Sequence, residues 1–538
     1  MKVVFSVLLL IVLASGLAQS PGPIRFEEVS AAAGVNFTHS FGAERLGSLV
    51  ESTGAGAVWF DYNNDGRLDL YVVSGKELGK GMHPYPLRKR PESAPHNHLY
   101  RNEGDGKFTD VTDSARVGGD LFSMAAIAAD YDNDGNVDLL VTGYGKVILY
   151  RNKGDGTFED VTAKAGIQIP GWSIGSAWLD YDRDGCVDVF IGRYVKFDPE
   201  YRSYYAADNY PGPLDYEPET NVLLHNNCNG TFTDVSAASG IARVKGRTMG
   251  ATAGDFDLDG YPDIYVANDK TENFLFHNEK NGTFKEIALA AGVAYGQNGE
   301  NTSAMGPVFQ DLDQDGKVDL WVSDSKYDRL MKNVGQLKFK DITQPSGISQ
   351  LSAQYVSWGT GLHDFDNDGL DDIFVVHGGL IHMVPQEHSV FRNVGDAKFE
   401  DVSTGAGSFF TKKSVGRGAA FADYDSDGRV DAFIVNLGGP AFLLHNVSPA
   451  GHWISVKLVG RKSNRDGIGA RVEVVAGGRQ QMHERVAGSG YLSQDDPRLH
   501  FGIGAATKVQ RLTVIWPSGT RQVLEDVAAD RVITVEEK

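Results

Sequence analysis

Aspartates recur in this chain at a spacing that suits the binding of a divalent cation. A nine-residue pattern, Asp-x-Asp/Asn-x-Asp-Gly-x-x-Asp, begins at seven places: Asp61, Asp130, Asp180, Asp255, Asp311, Asp364 and Asp423. Calcium takes about six to eight oxygen ligands at about 2.3–2.6 Å, and carboxylates at positions 1, 3 and 5 can surround one ion. The glycine at position 6 permits the sharp turn, and the aspartate at position 9 closes the shell. Each copy, numbered loop 1 to loop 7 in chain order, is therefore predicted to bind calcium.

The predicted ligands fall at the same five positions of every loop. The side chains at positions 1, 3, 5 and 9 are Asp61, Asn63, Asp65 and Asp69; Asp130, Asp132, Asp134 and Asp138; Asp180, Asp182, Asp184 and Asp188; Asp255, Asp257, Asp259 and Asp263; Asp311, Asp313, Asp315 and Asp319; Asp364, Asp366, Asp368 and Asp372; Asp423, Asp425, Asp427 and Asp431. Position 7 contributes a backbone carbonyl, from Arg67, Asn136, Cys186, Tyr261, Lys317, Leu370 and Arg429. About seven calcium ions are expected, and loop 1 is expected to be weaker because Asn63 removes one charge. Their role is expected to be structural, because no loop has an evident open coordination position or a neighbouring nucleophile.

The alternative for any single loop is an aspartate-rich turn without an ion. Repetition makes this alternative less favourable, because each empty loop would crowd three or four like charges at short range. The formal net charge of the chain is −20, and seven Ca2+ ions (+14) would leave −6. The acidity is therefore mostly site charge, and it argues against a nucleic-acid partner.

The residues after each loop predict a β-strand rather than the helix of an EF-hand. Position 12, which is a glutamate in an EF-hand, is β-branched in every copy: Val72, Val141, Ile191, Val266, Val322, Val375 and Ile434. A second signature that ends in Asn, such as Leu99–Asn102, is followed by a turn and a Phe, which is typical of a hairpin. Each unit therefore contains four strands, and the loop starts are 50 to 75 residues apart.

Four-stranded units at this spacing predict an all-β fold with a seven-bladed β-propeller. The seventh unit reaches Asn446 without its Phe strand, and a spare copy of that strand occurs at Phe26–Val35. This segment is predicted to complete the last blade and close the ring, which removes an open sheet edge. After about Val447 the loops stop, and a small all-β domain is predicted from five short segments: Trp453–Val459, Ala470–Ala476, Leu499–Gly502, Leu512–Trp516 and Arg531–Glu536.

The predicted organisation has three parts. A positive residue, an apolar run and small residues at Gly16 and Ala18 predict a secretory signal peptide over residues 1–18. The propeller is assigned to residues 19–446 and the small domain to residues 447–538. No other segment is long enough to span a membrane, so a secreted or periplasmic protein is expected.

Cys186 and Cys228 lie on one face of blade 3 and favour a disulfide, with two buried thiols as the alternative.

Long insertions between the second and third strands of a blade are expected on the face opposite the loops. They carry histidines and tyrosines as candidates for a ligand-binding face: His83, His96, His98, Tyr204, Tyr205, His377, His382 and His388. Because blades 1 and 6 are separated only by blade 7, their histidines are also considered for a metal site. Ordinary loop packing is the favoured alternative for these histidines.

The motifs resemble a known family. The repeats are similar to FG-GAP/VCBS repeats of integrin-like propellers. The segments Ser463–Ala470, Gly488–Gln494, Leu499–Gly502 and Trp516–Gly519 resemble an ASPIC/UnbV domain. The combination resembles bacterial relatives of the cartilage acidic protein family, which implies a secreted calcium-binding propeller but no settled activity.

Two classes of function are compatible with these features. The favoured hypothesis is a binding or adhesion module that presents its insertion loops to an extracellular glycan or protein. The alternative is an extracellular polysaccharide-active enzyme, a lyase or hydrolase, with its site on the face opposite the loops. The fold alone does not decide between them.

Overall fold

The structure is a computed structural model that describes residues 23–43, 45–78, 97–201, 210–380 and 382–538. Over these residues the repeats form seven four-stranded antiparallel sheets, the blades. The predicted all-β class is therefore confirmed. The strands are β1 (Phe26–Glu28); blade 1, β2 (Ala57–Phe60), β3 (Asp69–Val72), β4 (His98–Gly104) and β5 (Lys107–Asp110); blade 2, β6 (Phe122–Ala129), β7 (Asp138–Tyr144), β8 (Ile148–Asn152) and β9 (Phe158–Asp160); blade 3, β10 (Ser173–Leu179), β11 (Asp188–Arg193), β12 (Val222–Asn226) and β13 (Phe232–Asp234); blade 4, β14 (Thr248–Gly254), β15 (Asp263–Asn268), β16 (Phe274–Asn278) and β17 (Phe284–Glu286); blade 5, β18 (Ala304–Gln310), β19 (Asp319–Asp324), β20 (Arg329–Gly335) and β21 (Lys338–Asp341); blade 6, β22 (Ser357–His363), β23 (Asp372–His377), β24 (Ser389–Asn393) and β25 (Phe399–Asp401); and blade 7, β26 (Gly416–Ala422), β27 (Asp431–Asn436) and β28 (Phe442–Asn446), completed by β1.

The blades close into a ring. The first strand of each blade contacts the first strand of the next, and β26 of blade 7 contacts β2 of blade 1. Ring closure follows the prediction, because β1 pairs antiparallel with β28 and places Phe26 opposite Asn446. The first and second strands of every blade are almost wholly buried.

Helices are short and lie in the connections. They span α1 (Ser30–Ala33), α2 (Leu49–Thr53), α3 (Thr112–Ala115), α4 (Ala288–Ala291) and α5 (Ile348–Ser352), with 3-10 turns at Pro213–Asp215, Ile241–Arg243, Ser403–Gly405 and Ser408–Thr411. The Glu51 side chain accepts hydrogen bonds from the backbone N–H groups of Gly47 and Ser48, at 2.6 and 3.0 Å, and fixes the start of α2. None of the helices in the described ranges has the length and apolarity needed to cross a bilayer.

The C-terminal region forms two further sheets around its own core. Its strands are β29 (His452–Val459), β30 (Arg471–Ala476), β31 (Arg479–Glu484), β32 (Leu499–Gly504), β33 (Lys508–Ile515), β34 (Arg521–Ala528) and β35 (Arg531–Glu536). One sheet has the order β32-β29-β35 and the other β31-β30-β33-β34. The sequence did not predict β31 and β34. Both are edge strands with many polar and exposed residues, so they lack the apolar alternation that marks a strand.

The segment between β31 and β32, residues 485–498, enters the centre of the ring. Tyr491 and Leu492 are buried there in one apolar cluster with Met124 and Trp358. The Tyr491 hydroxyl donates to the Thr53 carbonyl at 2.5 Å. The Gln494 side chain accepts from the Ala128 N–H and donates to the Ala128 carbonyl, at 3.0 and 3.1 Å. The C-terminal domain therefore packs into the propeller rather than following it on a flexible tether.

Candidate metal centres

The seven loops share one backbone conformation at the same end of the ring. In loop 2 the Asp130 carboxylate accepts hydrogen bonds from the N–H groups of Asp134 and Gly135, at 2.9 and 2.7 Å. The glycine at position 6 has a positive φ in every loop, for example +92° at Gly135. The residue at position 4 also has a positive φ in every loop, which the sequence pattern did not indicate: Asn64, Asn133, Arg183, Leu258, Gln314, Asn367 and Ser426. These turns bring the carboxylates of positions 1, 3, 5 and 9 together.

The aspartate at position 9 is the buried anchor of each loop. In loop 2, Asp138 is 0% exposed and accepts the N–H groups of Asn152 and Tyr131, at 2.7 and 3.1 Å. Every other loop has the equivalent hydrogen bond from the asparagine N–H to its position-9 carboxylate, at 2.7 to 2.9 Å. The start of the second strand thus holds the position-9 carboxylate in a fixed orientation toward the loop.

The asparagine that ends the third strand joins neighbouring blades. The Asn152 side chain donates to the Val137 carbonyl of its own blade and to the Tyr62 carbonyl of blade 1, at 3.0 and 2.7 Å. The same pair of contacts occurs around the whole ring, and Asn102 of blade 1 donates to the Tyr424 carbonyl of blade 7 at 2.9 Å. The sequence showed this asparagine as a recurring signature but gave no partner for it.

The loop carboxylates lie in an environment that disfavours bare anions. Burial, followed by the nearby Asp466 carboxylate, raises the pKa of Asp130 to about 7. Burial also raises the pKa of Asp69 to about 8. A carboxylate is costly in such surroundings unless a cation or hydrogen-bond donors compensate its charge.

Several carboxylate oxygens in loops 2 to 6 have no hydrogen-bond partner among the described residues although they are buried. They are Asp132 Oδ1, Asp180 Oδ1, Asp257 Oδ1, Asp263 Oδ2, Asp313 Oδ1, Asp319 Oδ2 and both side-chain oxygens of Asp366. Buried polar atoms are normally paired, so unpaired acceptors clustered in one loop fit the oxygen shell of a calcium ion. The residues at the ligand positions therefore suit the predicted ion.

A basic residue precedes each third-strand asparagine: Arg101, Arg151, His225, His277, Lys332, Arg392 and His445. In loop 2, Arg151 lies 2.6 Å from Asp132 and 2.7 Å from Asp134. This position was not among the residues predicted from the sequence, although the recurring Leu-Tyr-Arg-Asn motif displays it.

Loop 3 has an additional covalent link. Cys186 and Cys228, the pair favoured by the sequence, form a disulfide with Cα atoms 5.7 Å apart. The bond joins loop 3 to the hairpin between the third and fourth strands of the same blade. It therefore holds two connections on the loop face together.

The C-terminal domain covers part of the loop face. Asp466 accepts the N–H of Asp130 at 2.8 Å, and Glu484 accepts the N–H of Asp255 at 3.1 Å. Arg498 donates to the Asp423 carbonyl at 2.5 Å. Three loops, 2, 4 and 7, thus bind this domain through the first residue of the calcium pattern.

The residues predicted for a ligand-binding face opposite the loops differ in where the structure places them. His83, His96, Tyr204 and Tyr205 lie outside the described residues. His98 interacts with Asp110 of its own blade at 2.7 Å, and His382 is exposed.

His377 and His388 do not lie on an exposed face, which corrects the prediction for blade 6. They are 0% and 1% exposed, and His388 Nδ1 accepts the backbone N–H of His377 at 3.0 Å. His377 also bonds Ser357 and Ser389, at 3.1 and 3.0 Å. Burial lowers the pKa of His388 to about 3. The serines satisfy neutral imidazoles inside the blade, so both histidines are packing residues.

The blade 3 insertion does place aromatic rings on the face opposite the loops. Tyr201 is 39% exposed, and its ring lies 5.7 Å from that of Tyr216. Phe197 packs between Tyr216 and Trp172, at 5.2 and 5.8 Å between ring centroids. These rings form a continuous aromatic surface with one exposed member.

Family comparisons match both regions of the chain. Residues 460–538 match the ASPIC and UnbV family. The FG-GAP-like repeat matches residues 90–141, 130–191, 212–266, 255–322, 311–375 and 364–434.

Curated relatives share this similarity at modest identity. Cartilage acidic protein 1 of Homo sapiens is 27% identical over 352 residues, which cover 62% of this chain and 50% of that protein. The Mus musculus protein of the same name is 27% identical over 337 residues, covering 60% and 49%. The chain spans about half the length of these relatives. A solved Agrocybe aegerita lectin that recognises non-reducing terminal N-acetylglucosamine is 15% identical, covers 72% of this chain and 87% of its own, and has a TM-score of 0.39.

Proposed function

This chain belongs to the FG-GAP-like repeat family and carries an ASPIC and UnbV domain, and we propose that it is a secreted, calcium-stabilised binding module for an extracellular glycan or protein. In this proposal each loop holds one structural Ca2+ through positions 1, 3, 5 and 9 and the carbonyl at position 7. The ion supplies the positive charge that the clustered carboxylates need.

One observation carries the calcium part of the proposal. Buried carboxylate oxygens such as Asp132 Oδ1 and Asp263 Oδ2 lack hydrogen-bond partners among the described residues, in loops that repeat one conformation. Unpaired buried acceptors at short range are unfavourable, and a hard cation with about six to eight oxygen ligands compensates them. Because the third-strand asparagines tie each loop to the next blade, calcium in the loops would also stiffen the ring.

The ligand surface is proposed on the face opposite the loops. The C-terminal domain covers part of the loop face, whereas on the other side Tyr201 presents an exposed ring that packs on the buried ring of Tyr216. Tyrosine combines a large apolar ring with a polar tip and is enriched at binding surfaces.

Export from the cell is proposed as well, and the Cys186–Cys228 disulfide supports it because such bonds persist in oxidising compartments.

The polysaccharide-active alternative has less support. His377 and His388 were two of its candidate acid–base residues, and both are buried and bonded to serines. A general acid or base must reach the substrate proton, so residues enclosed in a blade are poor candidates.

A binding screen with matched variants tests the proposal. The full-length protein is applied to arrays of extracellular glycans and of extracellular proteins, with calcium and after chelation. Binding is expected in calcium and should be lost on chelation. Tyr201→Ala should weaken it by about 10-fold, the size of a moderate hot spot. Val394→Ala, which is 50% exposed on a blade 6 hairpin at the loop face, should not change it. Binding that survives chelation, or that both variants weaken equally, would contradict the proposal.

A further inference from the structure

The loops fall into two classes according to the residue that precedes the third-strand asparagine. In blades 3, 4 and 7 this residue is His225, His277 and His445. In blades 1, 2, 5 and 6 it is an arginine or lysine. All of these side chains come from the same strand position, so the classes differ in chemistry and not in placement.

In blades 3 and 7 the imidazole Nδ1 atom contacts the carboxylates at positions 3 and 9 of its own loop, in equivalent geometry. His225 Nδ1 lies 3.1 Å from Asp188 Oδ1 and 3.5 Å from Asp182 Oδ2. His445 Nδ1 lies 3.1 Å from Asp431 Oδ1 and 3.6 Å from Asp425 Oδ2. Two ligands about 2.1 Å from one tetrahedral ion lie about 3.4 Å apart. The 3.1 Å contacts are hydrogen bonds in the structure, and the three candidate ligand atoms in each of these two loops lie within 4.8 Å of one another, which is close enough for one ion to replace the shared proton.

Blade 4 offers a related set. His277 Nδ1 lies 3.0 Å from Asp263 Oδ1, and ligand atoms of His277, Asp257 and Asp259 all lie within 4.8 Å of one another. Asp263 is 0% exposed, and its Oδ2 has no hydrogen-bond partner in the described part of the chain. Asp180 Oδ1 of loop 3 is also buried and unpaired. Buried acceptors without a hydrogen-bond partner among the described residues also occur in loops that carry arginine or lysine, at Asp132, Asp313 and Asp366. The imidazole nitrogen is therefore the feature that distinguishes loops 3, 4 and 7.

Loops 2, 5 and 6 place a permanent cation where the histidine stands, whereas Arg101 of blade 1 pairs with Glu103. In loop 2, the Arg151 guanidinium forms ion pairs with the carboxylates of Asp132 and Asp134. In loop 6, Arg392 lies 2.8 Å from Asp366, and in loop 5 Lys332 pairs with Asp313. Guanidinium and ammonium groups have no lone pair to offer a metal ion, whereas a neutral imidazole has one.

We propose that loops 3, 4 and 7 form a second class of metal site, in which His225, His277 and His445 join the carboxylates to bind a transition-metal ion of the Zn2+ or Mn2+ type. Imidazole nitrogen with carboxylate oxygen suits such ions, whereas an all-oxygen shell suits calcium. Loops 1, 2, 5 and 6 remain sites for calcium alone. The inference rests on the proposed function, because it assumes that the loops bind cations.

Metal counting on the full-length protein tests this inference. The protein is dialysed against Zn2+ together with excess calcium, and bound ions are counted by mass spectrometry. About three zinc ions per chain are expected, one for each histidine loop. Dialysis against Co2+ should give a visible absorption band that reports imidazole coordination.

Substitutions at the shared position give matched controls. The triple variant His225→Arg, His277→Arg, His445→Arg introduces the residue that blades 2 and 6 already carry, so it should fold and bind calcium. It should lose all three zinc ions and the cobalt band. The reverse change, Arg151→His, should add one zinc ion in loop 2.

The possible results separate the two proposals. Calcium binding without zinc in the unaltered protein would overturn the inference and leave the calcium proposal standing; the histidines would then be hydrogen-bond partners of the loop carboxylates. Zinc that persists in the triple variant would also overturn it, because the ion would lie elsewhere. A protein that binds neither ion would contradict both.

Discussion

At the scale of the residue, the asparagine that ends the third strand of each blade is hydrogen-bonded both to its own blade and to the neighbouring blade. Asn226 is 0% exposed, and its side-chain nitrogen donates to Val187 of its own blade and to Tyr131 of blade 2, at 3.0 and 2.8 Å. Its side-chain oxygen accepts the N–H of Cys228 at 3.0 Å. Each of these bonds satisfies a backbone group that would otherwise be buried without a partner.

Asn226→Ala is therefore expected to lower the free energy of unfolding by about 2–4 kcal/mol, because each orphaned buried group costs about 1–3 kcal/mol. Urea denaturation measures the loss. Asn227→Ala is the control: among the described residues its side chain bonds Thr231 and Thr233 of the same hairpin, so about 1 kcal/mol or less is expected. Equal losses in the two variants would show that the contact between blades adds nothing.

At the scale of the element, the segment between β31 and β32 determines how the two domains fit. It pairs with the inner strands of several blades: the backbone N–H of Trp178 donates to the Ala487 carbonyl at 2.8 Å, and the backbone N–H of Trp59 donates to the Gln494 carbonyl at 3.2 Å. Gly488 has a φ of +99°, and a Cβ there would lie 2.3 Å from the Ser176 carbonyl oxygen. Glycine is needed here for both conformation and space.

Gly488→Ala should destabilise the protein by about 2–4 kcal/mol, because left-handed strain adds to overpacking against a backbone atom. Gly478→Ala supplies the matched comparison. Gly478 has a φ of +84° but nothing within 4 Å of an added Cβ, so strain alone, about 1 kcal/mol, is expected. Urea denaturation and proteolysis of the C-terminal domain compare the two. Docking of the segment would be unimportant if both variants behaved alike.

At the scale of the whole molecule, the ring combines repeated loops, asparagine bridges and a central segment from the C-terminal domain. The loops concentrate buried carboxylates at one end, and that domain contacts at least five of these loops, including loop 3 through Arg183 and Pro517 and loop 6 through Asn367 and His500. Cation loss would therefore weaken the blades and the domain interface together.

Chelation is expected to lower the melting temperature by at least about 10 °C, because a single site at 100-fold saturation adds about 2.7 kcal/mol of stability and seven sites act together. Thermal unfolding measures the shift, and ion counting on protein prepared in calcium without added transition metal should return about seven bound calcium ions. A chelator already saturated with calcium serves as the control and should have no effect. An unchanged melting temperature with few bound ions would mean that the loops are turns without cations.

Repeated patterns in the sequence were enough to predict the loops, the strand order of each blade, closure of the ring by β1 and the all-β class. Each depends on a local pattern that repeats: nine residues for a loop, two-residue periodicity for a strand. The polar edge strands β31 and β34 were not predicted, because exposed edge strands lack this periodicity of apolar residues.

The contacts between residues far apart in the sequence became known from the folded structure alone. Gln494 and Ala128 are 366 positions apart and exchange two hydrogen bonds, and no local pattern signals such a pair. The same holds for the burial of His377 and His388, which depends on the serines packed around them. Long-range packing chooses partners by the shape and polarity of surfaces that form only when the ring closes, so these contacts could not be deduced from spacing along the chain.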